Sequence, residues 1–352
     1  MATGRRRPVA VAGASGYAGL ELLRLLARHP GFEVVRATSE RAAGEPVAAH
    51  HPSLGDAFGR LAFEPLDPDR VALGVEAVFL ALPHTAAMGV VPRLLETGVR
   101  VFDLSADFRL RDPAVYETWY RTAHRAPELL AGAVYGLPEI HRERLAAARL
   151  VAVPGCYPTA AILAAAPLVA GGAIDPATLV IDAKSGISGA GRKVELAYLF
   201  CEADGGVTPY GVGHHRHTPE IEQELSALAG RPVRVSFTPH LVPMSRGILV
   251  TLYASLARPA GRDDLAEAFG RFYAGSPSVR LLPAGRWPGT QHVRGSNRCD
   301  LGLAVDARVG RVVVAAAIDN LVKGAAGQAI QCANLAFGFP EALGLEDGAL
   351  FP

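Results

Sequence analysis

A short apolar strand, Pro8 to Ala12, runs directly into Gly13-Ala14-Ser15-Gly16-Tyr17-Ala18-Gly19, and a leucine-studded helical stretch, Leu20 to Arg28, follows at once. Strand, glycine turn and helix in that order open a dinucleotide-binding sheet. The glycines permit a tight turn and let a pyrophosphate approach the positive end of the helix. The spacing is G-x-x-G-x-x-G rather than G-x-G-x-x-G, so the turn acquires meaning from the elements that follow it.

Those elements alternate as a parallel α/β sheet requires. Phe32 to Ala37 reads as the second strand and ends in Thr38-Ser39-Glu40-Arg41. An acidic residue at the end of this strand would bind a ribose 2′-hydroxyl and repel a 2′-phosphate. Hydroxyls followed by Arg41 favour the phosphate, hence NADP(H); Glu40 is the dissenting residue, and a solvated surface charge is the other reading of Arg41. Glu76 to Leu82 and Val99 to Leu104 read as further strands, ending near His84 and at Asp107 and Arg109. Ligands gather at the carboxyl ends of such strands. His84 is a loop histidine or a cofactor neighbour on this pattern; Asp107 reads equally as a cap, and Arg109 as an anion-binding residue or a structural one.

Leu150 to Val153 closes the series and leads through Pro154-Gly155 to Cys156-Tyr157-Pro158-Thr159 and an apolar helix, Thr159 to Ala170. A thiol there feels unpaired N–H groups and the helix dipole, both of which favour the reactive thiolate. A small buried apolar side chain is the plainer alternative. The other cysteines, 201, 299 and 332, form no C-x-x-C pair, so a reducing cytosol is expected, without disulfides or structural metal. A net charge of +1 gives no footprint for nucleic acid or an anionic membrane surface, and no run of residues is long and apolar enough to span a bilayer. At 352 residues the chain suits two domains.

The second half changes style. Leu179 to Ala183 reads as a strand followed by the glycine- and serine-rich loop Lys184 to Lys193, suited to a nest of N–H groups or to plain flexibility. Thr218 reads as an N-cap, with Pro219 and Glu220 in the first turn of the next helix and His217 just before the cap. Proximity to a helix N-terminus disfavours imidazolium, so His217 is expected neutral and able to take a proton. The run His214-His215-Arg216-His217 lacks the i, i+4 pair that would converge on a metal. Val233 to Phe237, Gly247 to Leu256, Leu301 to Val305 and Arg311 to Ile318 read as strands of a mainly antiparallel sheet, with a turn at Thr238-Pro239-His240 and a helix from Arg262 to Tyr273.

A dinucleotide turn, a cysteine at a helix mouth and a histidine base belong together in one chemistry: a thiol takes an acyl group, and the adduct exchanges hydride with a nicotinamide. The segments GASGYAG, FLALPH, DLSADFRL, VPGCYPTAA, KSGISGAGR, HRHTPEIEQEL, FTPHLVPMSRGIL and AIDNLVKGAAGQAIQ, in that order over nearly the whole chain, resemble the N-acetyl-γ-glutamyl-phosphate reductases of arginine biosynthesis. That family is related to the aspartate-semialdehyde dehydrogenases. The resemblance implies a Rossmann-type parallel-sheet domain, 1–155, completed by a C-terminal helix, 320–352, and an α+β catalytic and oligomerisation domain with a mainly antiparallel sheet, 156–319. It implies Cys156 as nucleophile and His217 as acid/base. It implies cofactor contacts at Gly13, Ser15, Gly16, Tyr17, Ser39, Arg41, Ser188, Gly189 and Asn320, and substrate contacts at Ser185. Arg109 and Arg246 are assigned to anion binding. The expected protein is a cytoplasmic homodimer or homotetramer. Tyr157-Pro158-Thr159 favours the arginine-pathway substrate over the aminoadipyl phosphate of the lysine-pathway relatives or the aspartyl phosphate of the wider family. A non-catalytic NADPH-binding regulator on the same scaffold is the remaining alternative.

Overall fold

The computed structural model describes residues 5–351. They divide into two compact units: the chain up to Pro154 with Ala325–Glu346, and Gly155–Gly324 with 347–351. The sequence reading gave the first unit a helix over 320–352; the helix runs Gly327–Ala336, and residues up to 324 stay with the second unit. Residues 347–351 also join the second, where the Leu350 N–H donates to the Arg294 carbonyl at 2.8 Å and Phe351 stacks on His292.

The first unit is a seven-stranded sheet in which every pairing is parallel. Its strands are β1 (Arg7–Ala12), β2 (Phe32–Thr38), β3 (Phe63–Glu64), β4 (Ala77–Leu80), β5 (Arg100–Asp103), β6 (Val134–Tyr135) and β7 (Leu150–Ala152), in the order β3-β2-β1-β4-β5-β7-β6. Both faces are covered, so β4 is apolar at each position and wholly buried. The order reverses between β1 and β4, the switch point beyond which ligands bind in such sheets. The glycine turn follows β1 and His84 follows β4, so both lie at that point. The helix Gly327–Ala336 packs in the same unit: Gln328 donates to the Gly136 carbonyl at 2.6 Å and the Cys332 thiol to the same oxygen at 3.2 Å.

The second unit contains β8 (Val180–Gly186), β9 (Thr208–Pro209), β10 (Ser236–Val242), β11 (Ile248–Ser255), β12 (Val279–Leu281), β13 (Cys299–Asp306) and β14 (Arg311–Ile318), in the order β12-β13-β14-β11-β8-β10-β9. Four pairings are antiparallel; β8–β10 and β12–β13 are parallel. The helix Cys156–Ala170 packs on β11 and β14, flanked by the helices Thr218–Ala229 and Arg262–Phe272. Alanines along its length let it approach the sheet closely, and every residue from Tyr157 to Val169 is buried.

Three local expectations change. The cysteine helix begins at Cys156 itself, because Gly155 serves as its N-cap, rather than at Thr159. His217, not Thr218, is the N-cap of its helix. The expected turn at Pro239 is strand: β10 runs through it. Proline is tolerated because β9, its outer neighbour, pairs only with His240 and Leu241, so no ladder N–H is required of Pro239 on that side.

Candidate active site

In the first unit the glycine turn is shaped by contacts with the strand ends around it. Gly13 has φ +78°, and a Cβ there would lie 2.4 Å from the Ala81 carbonyl oxygen, so only glycine fits. The Ala14 N–H donates to the Thr38 carbonyl at 2.9 Å, tying the turn to the end of β2. The helix Tyr17–Leu26 starts at Gly16 without a side-chain cap, so its first N–H groups face outward from the turn. Ser39 is buried and donates to the Ser15 hydroxyl at 2.7 Å. Glu40 turns aside and accepts the Leu66 N–H at 2.7 Å. Arg41 is exposed with no partner among the described residues. The corner beyond β2 therefore offers hydroxyls and a free cation, while its acidic residue is engaged elsewhere. Tyr17 stands exposed at the mouth of the turn.

Beyond β4 and β5 the polar residues brace one another. Asp107 is fully buried and accepts from the Thr85 N–H at 2.7 Å, the Met88 N–H at 3.1 Å and the Tyr116 hydroxyl at 2.9 Å. It thereby holds Thr85 at φ 72°. His84 accepts the Ala106 N–H at 3.1 Å through Nδ1. Arg109 is buried, its guanidinium donating to the carbonyls of Val153 and Leu104, both at 2.7 Å, so it laces the ends of β5 and β7 together. Asp103 is buried beside Asp107, and burial first, then that neighbouring charge, push its carboxyl up to about 7.

In the second unit a chain of contacts surrounds Cys156. The thiol residue is half-buried at the first position of its helix. The preceding Gly155 N–H donates to the carboxylate of Glu220, itself buried, at 2.8 Å. A Cβ on Gly155 would lie 2.5 Å from Nε2 of His217, so the imidazole rests directly on the turn that delivers the thiol. Gly324 closes in similarly: a Cβ there would meet that of Cys156 at 2.8 Å. The next residue, Tyr157, is buried; its hydroxyl donates to the His240 carbonyl at 3.2 Å and receives from the Tyr210 hydroxyl at 3.2 Å. Burial, then Tyr210 and Cys156, drive the Tyr157 hydroxyl far above its ordinary value; burial pushes Tyr210 up to about 12.

His215 meets Tyr157 edge-on and accepts the His217 N–H at 3.1 Å. Burial, then the charges of Arg216 and His214, lower it to about 4, so it is a neutral pivot for His217 near pH 7. His214 turns away, its ring nitrogen on the Val212 carbonyl. Ser185 is buried, and its hydroxyl lies 3.1 Å from where a Cβ of Gly189 would stand. Asn320 donates to the Ser188 hydroxyl at 3.0 Å and accepts the Gly247 N–H at 2.7 Å. The adjacent Asp319 is buried, caps the following turn through the Leu321 and Val322 N–H groups, and pairs with Arg246 at 3.5 Å. Arg246 thus carries a compensated charge.

Residues 8–148 match the family model described as semialdehyde dehydrogenase, NAD binding domain, and residues 156–320 the one described as semialdehyde dehydrogenase, dimerisation domain. An N-acetyl-gamma-glutamyl-phosphate reductase of Moorella thermoacetica is 57% identical over 97% of this chain and 99% of its own. That of Geobacter metallireducens is 58% identical over 98% and 99%. The chain belongs to the N-acetyl-γ-glutamyl-phosphate reductase family. Aspartate semialdehyde dehydrogenase II from Vibrio cholerae, complexed with ASA, has the same fold at a TM-score of 0.73 and 17% identity, covering 95% of this chain and 99% of that one. Aspartate semialdehyde dehydrogenase with NADP from Candida albicans superposes at 0.72 with 18% identity, over 94% and 98%. The first unit thus contains a nicotinamide-dinucleotide-binding domain. No helix of the described residues is long and apolar enough to cross a membrane.

Sequence reasoning passed over Glu220 as anything more than a good first-turn residue, did not name Tyr210, read His215 only as part of a histidine run unsuited to metal, and gave Gly324 no role of its own. Glu220 carried a readable signal, an acid three positions after the histidine. Gly324 sat inside the quoted DNLVKGAA segment without its reason, which is the approach to Cys156.

Proposed function

We propose that this chain catalyses the NADPH-dependent reduction of N-acetyl-γ-glutamyl phosphate to N-acetyl-L-glutamate 5-semialdehyde and phosphate, through a thioester on Cys156. The observation that carries the reading is the arrangement at Gly155: one carboxylate fixes its N–H and one imidazole lies against it, immediately before a cysteine that starts a buried helix. Relatives more than half identical over nearly the full chain bear the reductase name, which supports the arginine-pathway substrate. The enzyme acts in the cytoplasm as a homo-oligomer.

The helix N-terminus favours the thiolate of Cys156, and Glu220 keeps its turn in place. The sulfur attacks the acyl carbon, a C–S bond forms, and the bond from carbon to the phosphate oxygen breaks with release of phosphate. When bound, the reduced nicotinamide supplies the hydride that reduces the thioester carbonyl. His217 holds the proton that the developing thiohemiacetal oxygen takes up, and it accepts that proton again as the C–S bond breaks, the aldehyde leaves and the thiolate returns. Uncapped N–H groups after Gly16, together with the Ser15–Ser39 pair, suit the pyrophosphate and ribose; exposed Arg41 suits a 2′-phosphate, which is why NADPH is preferred to NADH. Asn320, Ser188 and Gly189 suit contacts with the nicotinamide, and Ser185 suits contact with substrate. Arg109 and Arg246 position backbone and loop around the substrate's anionic groups.

The test is the reverse assay. Semialdehyde, phosphate and NADP+ should give phosphate-dependent NADPH formation, and Cys156→Ser should lower it at least about a thousandfold. Full activity in that variant contradicts the mechanism.

A further inference from the structure

His51 lies between β2 and β3, is only 4% exposed, and takes no part in the mechanism described above. A buried imidazole needs partners for its ring nitrogens. Its Nε2 stands 2.9 Å from the carbonyl oxygen of Ala14, in the glycine turn 37 residues earlier. A carbonyl only accepts, so Nε2 carries a proton and donates it to this bond.

The segment around His51 is built to bring the ring there. It is tied across its base: the Val47 N–H donates to the Leu61 carbonyl at 2.8 Å, and the Phe63 N–H to that of Glu45 at 2.9 Å. Val47 is wholly buried, and the single helical turn Val47–His50 delivers His51 just before Pro52. The imidazole is then boxed in by two rings that meet it edge-on, His50 at 4.8 Å and Phe63 at 6.0 Å.

What the bond fixes is a peptide plane. Ala14 is gripped at both ends, its N–H by the Thr38 carbonyl at 2.9 Å and its own carbonyl by His51. In a trans peptide the C=O and the next N–H point in opposite directions. His51 therefore also sets the direction of the Ser15 N–H, toward the side of the turn away from the imidazole. The helix that follows is locked onto the same residue, since a Cβ on Gly19 would lie 2.6 Å from the Ala14 Cα. Glycines let the turn bend; the end of β2 and the imidazole, on separate elements, stop it from swivelling.

We propose that His51 is a positioning residue for the dinucleotide: its hydrogen bond to the Ala14 carbonyl holds the Ala14–Ser15 peptide in the orientation that the cofactor's pyrophosphate requires. The role rests on the turn receiving the pyrophosphate. It does not rest on which nicotinamide cofactor is used, because the pyrophosphate is common to both.

Glutamine places an amide nitrogen about where Nε2 stands, and asparagine about where Nδ1 stands. His51→Ala and His51→Asn should therefore raise the dissociation constants of NADP+ and NAD+ by the same factor, about tenfold, whereas His51→Gln should stay within about threefold of wild type. KM for NADPH should follow, with KM for the semialdehyde unchanged. Equal losses for the two cofactors separate the turn from the 2′-phosphate corner, where Arg41→Ala discriminates between them. The same loss in all three variants, or a loss that falls on kcat and on KM for the semialdehyde as heavily as on the cofactor, would mean that His51 only packs its segment. Unchanged affinity in His51→Ala overturns the role and leaves cofactor binding by the turn standing; a wild-type chain that binds neither cofactor overturns the pyrophosphate reading itself. If the variants do not fold, a crystal structure of the wild type with NADP+ decides. The Ser15 N–H should face a pyrophosphate oxygen while His51 stays on the Ala14 carbonyl, and a pyrophosphate bound away from that peptide overturns the proposal.

Discussion

The two units build their functional elements by opposite means. In the first, one uninterrupted turn between β1 and its helix does most of the work with main chain and small side chains; Gly13, Ser15 and Gly16 are neighbours in sequence and in space. In the second, Cys156 is surrounded by residues drawn from far along the chain: His217 and Glu220 from another helix, Tyr210 from an edge strand's end, Gly324 from beyond the last strand. A local device is robust to change elsewhere and is exposed in the sequence. A device assembled from distant parts depends on each of them, and its partners are invisible until the fold brings them together.

The contrast is breakable by paired substitutions. Gly13→Val adds a branched side chain at positive φ where even a Cβ meets the Ala81 carbonyl, and should destabilise the first unit by about 3 kcal/mol or more. NADPH binding, read by fluorescence, should vanish, while the alkylation rate of Cys156 by iodoacetamide stays at the wild-type value. Glu220→Ala should do the reverse. It strands a buried N–H beside Cys156, which costs about 1–3 kcal/mol, and should lower kcat and slow alkylation while the NADPH dissociation constant is unchanged. Glu220→Gln, which keeps an acceptor oxygen, should recover much of the loss. If both variants damage both readouts equally, the units are not independent devices.

Arg41→Ala is a smaller change. It should raise KM for NADPH about tenfold or more by removing a charge-assisted contact, and leave KM for NADH unaltered. An equal effect on both cofactors would mean that Arg41 does not meet the 2′-phosphate.

The smallest effect distinguishes the units by pH. Asp103, raised to about 7, binds its proton more tightly folded than unfolded, so its contribution to stability is complete below its ordinary value of 3.8 and is lost as pH rises through about 7. His215, lowered to about 4 from 6.5, contributes stability present above pH 6.5 and lost as pH falls through about 4. Between pH 7.5 and 5, amide protection relative to the intrinsic exchange rate should rise along β5 and fall around His215. Asp103→Asn and His215→Asn should each flatten only its own trend.

Much of the architecture was legible. The parallel sheet announced itself through apolar strands separated by helical stretches; its strand order, with the reversal between β1 and β4, was not read from the sequence. The places where reading failed have physical causes. Pro239 reads as a turn because proline has no N–H, yet β10 needs no donor there once its outer neighbour is only two residues long. Thr218 reads as a cap from its hydroxyl, but the backbone enters the helix one residue earlier, at His217. Arg246, assigned to anion binding, has a neighbour the sequence did not disclose: the buried Asp319 at 3.5 Å. Cys156 and His217 stand out in the sequence as a thiol at a helix mouth and an imidazole before a helix. What brings their surroundings together, the Gly155 N–H in the grip of Glu220, does not, because a hydrogen bond spanning 65 residues leaves no periodic trace in sequence.

In the proposed mechanism this assembled neighbourhood makes Cys156 a covalent acceptor of the acyl group. Rapid mixing of the enzyme with N-acetyl-γ-glutamyl phosphate in the absence of NADPH tests it directly. A burst of about one phosphate per chain is expected, accompanied by an acyl adduct on the peptide bearing Cys156 and absent from Cys156→Ser. No burst in the wild-type enzyme, or an equal burst in the serine variant, would contradict it.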